Sequence, residues 1–547
     1  MFKIIKRIGR QWWLFLIMLL VIAANVFCDF LLPVQLGNII KVLQTAKDLE
    51  DPALAIISEC AYMLLIAGAS AVCAVIMCRL SSTVTARLIS VSRYEMFKSI
   101  GTFSYGEMNK FSVSSLVTRT TNDLTFIGYT LNMFFRYILY GPLLAITAII
   151  GLIVLGKIPM MFAIAGAFVL IIIFILIIVK IVLPKYEAIQ SKLDKVALVT
   201  RENLDGLRVV RAYNAEDYQE KKFAAINGEL MKTERFSNKG LGILVPVITI
   251  IVGLLNVVIY YVGAQLVEKN DGTFAFSDIS VVIQFAALIL MGFIMMVAVI
   301  IQMPRTIVCA KRVNEVIETV PAVKGAEKSP ETSEEGTIEF RNVSYFYPGG
   351  ELPAVDNISF KVKKGETLAI IGATGAGKTT LINMMMRFFD ATEGEVLIDG
   401  VNVKEYSLED LNGKFGYVPQ KGYLFHDTLL NNITIGKPDA TAVQVDRALD
   451  ISQSKEFVGK LPDGVNYEIS QGGKNVSGGQ RQRLCIARAI IMEPEIFIFD
   501  DSFSALDYRT DKVLRGEIKK QCAGVTNVVV AQRVGTILEA DQIICLD

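Results

Sequence analysis

Gly372-Ala-Thr-Gly-Ala-Gly377-Lys378-Thr379 is the stretch on which the fold of this chain turns. It follows the apolar run Leu368-Ala-Ile-Ile371 and opens into Thr380-Leu-Ile-Asn-Met384. That is the strand–turn–helix setting in which successive backbone N–H groups converge on phosphate oxygens at a helix N-terminus. Gly372, Thr374, Gly375, Ala376 and Gly377 then form the cradle, Lys378 brings its ammonium to the β- and γ-oxygens, Thr379 offers a hydroxyl to magnesium, and Thr380 completes the nucleotide-binding set. A chance glycine-rich turn lacks these flanks. Further along, Ile496-Phe-Ile-Phe-Asp500 is a short continuous apolar run ending in an acid. It reads as a buried strand whose terminal carboxylate holds the metal of a bound nucleotide, the plainer alternative being a strand that ends in a capping aspartate.

The rest of the chain is apolar. In 547 residues, long enough for two or three domains, 52% are hydrophobic and the mean hydropathy is +0.46, too high for an ordinary soluble enzyme. Apolar runs of spanning length fall at 12–36, 53–78, 131–155, 159–182, 241–267 and 279–303. Lys3, Lys6, Arg7 and Arg10 precede the first. Arg79, Arg87, Arg93, Lys98, Lys110 and Arg119 fill the second connection, and Lys180, Lys185, Lys192, Lys195, Arg201, Arg208 and Arg211 the fourth. The positive-inside rule places both connections and both termini in the cytoplasm of a multi-pass cell-membrane protein. The first run exceeds a signal-peptide core and lacks a small-x-small cleavage site, so it is read as a retained span. The eight cysteines show no paired spacing for zinc or a disulfide framework, and a net charge of +1 gives nucleic acid no electrostatic hold.

Residues 81–100 and 183–236 mix apolar positions at helical spacing with charges and lack proline or glycine clusters, so the spans are expected to run on as cytoplasmic helices. The turn-rich polar segment 320–336 reads as a linker between a membrane domain at 1–319 and a soluble domain at 337–547. In the soluble part, β-rich runs at 337–343, 367–371 and 528–531 alternate with helical patterns. The expected fold class is a polytopic all-α membrane domain, six transmembrane helices with long cytoplasmic extensions, plus an α/β P-loop nucleotide-binding domain.

Val476-Ser-Gly-Gly-Gln480, between the phosphate loop and Asp500, completes a set that resembles the ATP-binding cassette (ABC) exporters over nearly the whole chain. The resemblance implies that Ser477, Gly478, Gly479 and Gln480 form the signature facing a partner's nucleotide. It also implies that Tyr347 in Val343-Ser-Tyr-Phe-Tyr-Pro348 stacks on adenine, and that Gln420 in Gly416-Tyr-Val-Pro-Gln420 reaches the magnesium with Thr379 and Asp500. Ser504-Ala-Leu-Asp507 matches the D-loop. Gly206-Leu-Arg-Val-Val-Arg-Ala-Tyr-Asn214 and Leu116-Val-Thr-Arg-Thr-Thr-Asn-Asp123 look like coupling segments of six-span exporters. The cofactors implied are ATP and Mg2+, the chemistry ATPase-coupled transport.

Three positions depart from the family pattern. Where the family has a catalytic Glu after the metal aspartate this chain has Asp501, and where it has a switch His this chain has Gln532. Its only histidine, His426, lies elsewhere in the sequence, and Gln471 replaces a Glu before the signature. Such cassettes dimerise head to tail. The resemblance is therefore to the degenerate-site subunit of heterodimeric multidrug-type exporters: a second half-transporter subunit supplies the faster site, which this chain's signature completes, and a hydrophobic small molecule leaves through the bilayer. Lipid or peptide export, and an ATP-switched regulatory subunit that does not pump, are the alternatives. Intramembrane Asn25, Asp29, Gln35, Asn132, Arg136, Asn256 and Gln284 are candidate substrate or packing residues, with Asp29 able to attract a cation or to pair with a neighbouring helix. Phe285, Phe293, Met295 and Met296 suit an adaptable apolar cavity or ordinary packing. The family continues beyond the terminal run Ile543-Ile-Cys-Leu-Asp547, so a further tail is expected.

Overall fold

Lipid supplies no partners for backbone N–H and C=O groups, so apolar runs must close their hydrogen bonds internally. The computed structural model describes residues 12–46, 51–154, 158–268, 275–332, 334–531 and 537–547. Six helical stretches in it are long and apolar enough to span: Trp13–Gln44, Pro52–Gly101, Val113–Val154, Met160–Ile178, Pro246–Glu268 and Phe276–Glu318. Each apolar run read from the sequence has its helix. Lys3, Lys6, Arg7 and Arg10 lie outside the described residues.

In chain order the helices are α1 (Trp12–Gln44), α2 (Pro52–Gly101), α3 (Tyr105–Lys110), α4 (Val113–Thr118), α5 (Leu124–Tyr137) and α6 (Tyr140–Val154). They continue as α7 (Ile158–Asp205), α8 (Leu207–Ala212), α9 (Glu216–Gly242), α10 (Leu244–Glu268) and α11 (Phe276–Glu318). The extensions beyond the spans are helical as expected: α2 runs on to Gly101, α7 to Asp205, and α9 carries the chain back to Gly242. A π-helical turn, Arg119–Asp123, joins α4 to α5, and a turn at 138–139 interrupts the third span.

The chain forms two compact units: Met1–Phe97 with Val117–Ile317, and Lys98–Leu116 with Glu318–Asp547. The short segment 98–116, part of the sequence assigned above to the membrane half, folds with the soluble one. In the first unit, Leu152, Ile164, Ile171, Ile259, Val282, Phe285 and Ile289 form a core across α6, α7, α10 and α11. Gly141 on α6 and Gly292 on α11 meet backbone to backbone, and a Cβ at either would collide with the other's carbonyl. Small residues at such a crossing let two helix axes approach closely.

In the second unit, beside a short antiparallel pair, β7 (Asp427–Thr428) and β8 (Glu468–Ile469), five parallel strands lie in the order β11 (Gln542–Leu546), β3 (Thr367–Gly372), β10 (Thr526–Val530), β9 (Ile496–Asp500) and β6 (Phe415–Val418). All five residues of β9 are buried, which explains a run with no polar alternation. An antiparallel sheet in the order β2 (Val355–Val362), β1 (Ile338–Tyr345), β4 (Glu393–Ile398), β5 (Val401–Asn402) shares one core with the parallel sheet, built on Phe340, Ile370, Leu381, Met385, Ile398 and Ile498. The opposite face of the parallel sheet packs Phe497, Phe499 and Val529 against helices that carry Leu449, Leu484, Ile486 and Leu514. Segment 98–116 joins this unit through α3. Glu107 caps the helix by accepting from the Ser104 N–H at 2.9 Å and also accepts from the Ala322 N–H at 3.2 Å, while the Tyr105 ring lies 6.2 Å from that of Phe389.

One buried ion group stitches the two sheets. Lys414 Nζ lies 2.6 Å from Asp399 Oδ2 and 2.9 Å from Glu495 Oε1, with the Asp399 side chain 0% exposed and that of Lys414 14%. Burial alone would lower the Lys414 pKa, but its hydrogen bonds to Asp399 and Glu495 raise it above the usual lysine value. Removing one member of such a group strands a buried charge, at a cost of about 3–5 kcal/mol. Lys414→Met should therefore lower the melting temperature of the detergent-purified chain sharply, with Lys414→Arg milder; equal melting temperatures for Lys414→Met and the parent would remove the group's structural role. Gly141→Val should cost about 1–3 kcal/mol by overpacking, seen as a lower aggregation temperature by fluorescence-detected size exclusion.

Candidate functional site

The phosphate loop hangs between the end of β3 and α12 (Lys378–Met385). Gly375 and Gly377 sit at φ +91° and +93°, conformations that L side chains rarely adopt, and a Cβ on Gly377 would lie 2.5 Å from the Ala354 carbonyl. Thr374 stands exposed at the rim and Ala376 is partly buried under the turn. The Lys378 ammonium folds back into the hollow and donates to the carbonyls of Gly372 (2.8 Å) and Ala373 (2.6 Å). The cation is thus held over the loop backbone itself. Tyr347 follows β1, is 40% exposed, and its hydroxyl lies 3.1 Å from the Thr380 hydroxyl on the first turn of α12.

β9 delivers the acids. Asp500 Oδ2 accepts from the Thr379 hydroxyl at 3.4 Å. Burial pushes the Asp500 pKa above the ordinary carboxylate value, with the Thr379 hydrogen bond opposing and the Asp501 charge adding to the rise. A desolvated carboxylate beside a hydroxyl and a lysine is a donor set that a small hard cation with phosphate oxygens would satisfy. The residues therefore fit Mg2+-ATP. Among the described residues there is no cluster of three His, Cys, Asp or Glu for a metal held by protein alone.

Asp501 occupies the next position at φ +48°, a left-handed conformation that aspartate tolerates better than most residues. Its Oδ2 accepts from Gln420 Nε2 at 3.2 Å, and its N–H donates to the Val530 carbonyl at 3.1 Å. Lys378, Thr379, Asp500, Asp501 and Gln420 thus come together. Gln532 lies outside the described residues. His426 Nδ1 lies 3.2 Å from the Ile469 carbonyl.

The signature starts a helix. Ser477 is the N-cap of the helix spanning Gly478–Ile491, its hydroxyl accepting from the Gln480 N–H at 3.2 Å while Gln480 Oε1 accepts from the Ser477 N–H at 2.9 Å. This reciprocal capping box fixes the Ser-Gly-Gly turn, with Gly479 partly buried against the Ala505 carbonyl. Gln480 thereby spends its side chain on the turn itself.

Gln482 was not singled out from the sequence. It is 2% exposed, donates from Nε2 to the Pro419 carbonyl at 3.0 Å and accepts the Gly422 N–H at 3.1 Å, so it grips the backbone on both sides of Gln420 from the signature helix. A polar residue on the buried face of that amphipathic helix, two positions before Leu484, is the signal that would have found it. In the membrane unit, Asp29 accepts from Ser70 Oγ at 2.7 Å, from the Tyr140 hydroxyl and from Asn25 Nδ2 at 3.3 Å, tying α1 to α2 and α6. In the segment 116–123, Arg119 donates to the Arg312 carbonyl at 2.9 Å and pairs with Glu315 at 2.9 Å, and Arg312 lies 3.3 Å from Asp123.

A phosphate loop and signature helix on a parallel sheet, carried by the same chain as six spanning helices, define a membrane transporter driven by ATP. The chain belongs to the ABC transporter family: the ABC transporter model matches residues 355–504 and the ABC transporter transmembrane region model residues 14–294. An uncharacterized ABC transporter ATP-binding protein of Mycobacterium tuberculosis is 33% identical over 501 residues, covering 89% of this chain and 84% of that protein. An ATP-dependent lipid A-core flippase of Haemophilus influenzae is 28% identical over 473 residues, covering 85% and 79%. The structure of a bacterial Atm1-family ABC exporter with ATP bound superposes with a TM-score of 0.77 at 22% identity, covering 97% of this chain and 92% of the other, and so shares the fold.

Charge-assisted hydrogen bonds of the kind Lys378 makes are worth about 1.5–3 kcal/mol each. Lys378→Ala should therefore weaken binding of a fluorescent ATP analogue by roughly 10- to 150-fold. Unchanged titration curves would remove Lys378 from the site.

Proposed function

We propose that this chain is one subunit of an ATP-driven exporter of lipophilic or amphipathic compounds in the cell membrane, with its nucleotide-binding unit cytoplasmic, working with a second half-transporter. The observation that carries the proposal is Asp501: at the position of a general base it presents a carboxylate one methylene shorter than glutamate, already engaged by Gln420 at 3.2 Å. Loss of a positioned base slows a reaction by about 10²–10⁴-fold. Mg2+-ATP, when bound, supplies the phosphoryl group and the charge that this site is built to hold. Of the chain's own groups, Lys378 and the loop N–H groups orient the phosphates, Thr379 and Asp500 place the metal, Gln420 reaches toward it, and Tyr347 offers a face to the adenine. Gln532 at the switch position removes a group that can carry a proton and a positive charge. The chain's own site is then a slow, binding site. Ser477 and Gly479 complete the partner's fast site by presenting a hydroxyl and backbone donors to its γ-phosphate.

The multidrug reading follows from this asymmetry. A second reading, export of a lipid, is favoured by the similarity to lipid A-core flippases.

The test is ATP turnover by the chain purified with its partner. Ser477→Arg should abolish turnover while leaving ATP binding at this chain's own loop intact, because it places a bulky cation where two subunits close. Asp501→Ala should change turnover less than about threefold, far below the loss expected for a working base. Persistence of turnover in Ser477→Arg together with its loss in Asp501→Ala would reverse the assignment of the two sites, and fast turnover by a pure homodimer would remove the partner.

A further inference from the structure

The ring of Tyr347 is held by three neighbours. Its hydroxyl lies 3.1 Å from that of Thr380, the Tyr345 ring meets it edge to face at 5.1 Å and 86°, and the Phe389 ring stands 6.1 Å away at 64°. It still keeps 40% of its surface open. A side chain that is ordered only when its ligand arrives loses part of the stacking gain to its own immobilisation, so a ring whose plane is already fixed makes the better shelf for a planar base.

Phe389 is the hub of this arrangement. It is buried, stacks on Tyr345 at 4.2 Å and 23°, and lies 6.2 Å from the Tyr105 ring. Edge-to-face and offset pairs at these separations attract beyond the area they bury. The turn that carries Phe389 is itself pinned. The chain leaves α12 through Arg387, left-handed at φ +53°, whose buried guanidinium donates to Asp390 Oδ1 and to the Lys324 carbonyl, both at 2.9 Å, and the Phe388 N–H donates to the Asn383 carbonyl at 2.8 Å. The outermost ring comes from elsewhere in the chain. Tyr105 opens α3, between the second and third spans, and Glu107 ties that helix to the same unit by accepting the Ala322 N–H at 3.2 Å.

We infer that Phe389 and Tyr105 are positioning residues for the nucleobase of ATP, acting through Tyr347, and that the segment between the second and third spans thereby supplies the outer edge of the base shelf. The inference rests on the proposed role of Tyr347 toward adenine and deepens it. The base-dependent share of the affinity is set behind the contact, by rings that hold Tyr347 in one plane. The phosphate-dependent share belongs to Lys378 and the loop and is independent of Phe389.

The test measures binding of Mg2+-ATP and of Mg2+-tripolyphosphate, which lacks the base, to the detergent-purified full chain by titration calorimetry. Phe389→Leu should weaken ATP about 3- to 10-fold, the loss expected for one aromatic pair, and leave tripolyphosphate unchanged. Phe389→Tyr, which keeps the ring, should bind both ligands as the parent does. Tyr105→Ala, a change at a half-exposed ring outside the core, should weaken ATP about two- to threefold with tripolyphosphate again unchanged. Equal weakening of both ligands by Phe389→Leu makes its role one of general folding and overturns the inference, as does ATP binding that neither Phe389→Leu nor Tyr105→Ala alters. Tyr347→Ala separates this failure from that of the adenine contact, where loss of the stack should cost ATP about 5- to 150-fold. ATP weakened by Tyr347→Ala alone leaves the contact standing and removes its two supports, whereas ATP untouched by Tyr347→Ala removes the contact and the inference together.

Discussion

The chemistry of the nucleotide-binding unit depends on one register. β10 pairs in parallel with β3 on one side and β9 on the other, so that Val530 stands opposite both Ile370 and Asp500. Parallel strands end on a common edge, where open α/β sheets place their ligands. The phosphate loop leaves β3 at that edge and Asp500 ends β9 there, 3.4 Å from Thr379 although far from it in sequence. Side chains alternate along a strand, so a slip of one residue in β9 would turn the carboxylate into the core. The continuous burial of β9 on both faces holds it in place.

Around that edge the fold separates holding from reacting. The loop glycines, Lys378 and the capped start of the signature helix are fixed by backbone geometry and local hydrogen bonds. Asp501 is fixed as well, by its N–H on β10 and its left-handed φ, but what is fixed is a short carboxylate occupied by an amide. Gln482 connects the two regions: from the signature helix it grips the backbone on both sides of Gln420.

Much of this was legible in the sequence because it is local. Six spans follow from hydropathy, the phosphate loop from eight consecutive residues and their flanks, and β9 from an unbroken apolar run ending in an acid. The alternation of soluble strands and helices was likewise visible from 337 onward. What the sequence did not disclose depends on residues distant along the chain. Nothing near Gln482 announces the backbone on either side of Gln420. The hydrogen bonds that quiet Asp29 come from Ser70 and Tyr140 on other helices. The N–H of Asp501, left-handed at φ +48°, reaches the Val530 carbonyl at the end of β10, a strand distant in sequence. Gln532 was singled out by sequence pattern alone.

The small segment Lys98–Leu116 also shifts where this protein can be divided. A gene cut just before Glu318 looks like a clean separation of a membrane part from a soluble one. It leaves behind the helix whose Tyr105 lies beside Phe389 and whose Glu107 receives the Ala322 N–H. The excised fragment would carry a bare aromatic surface formed by Tyr345 and Phe389, stacked at 4.2 Å, and a loose leading segment. The unit that handles ATP is assembled from two stretches of chain with a membrane-spanning excursion between them, so its folding can finish only after the spans that separate those stretches have been threaded.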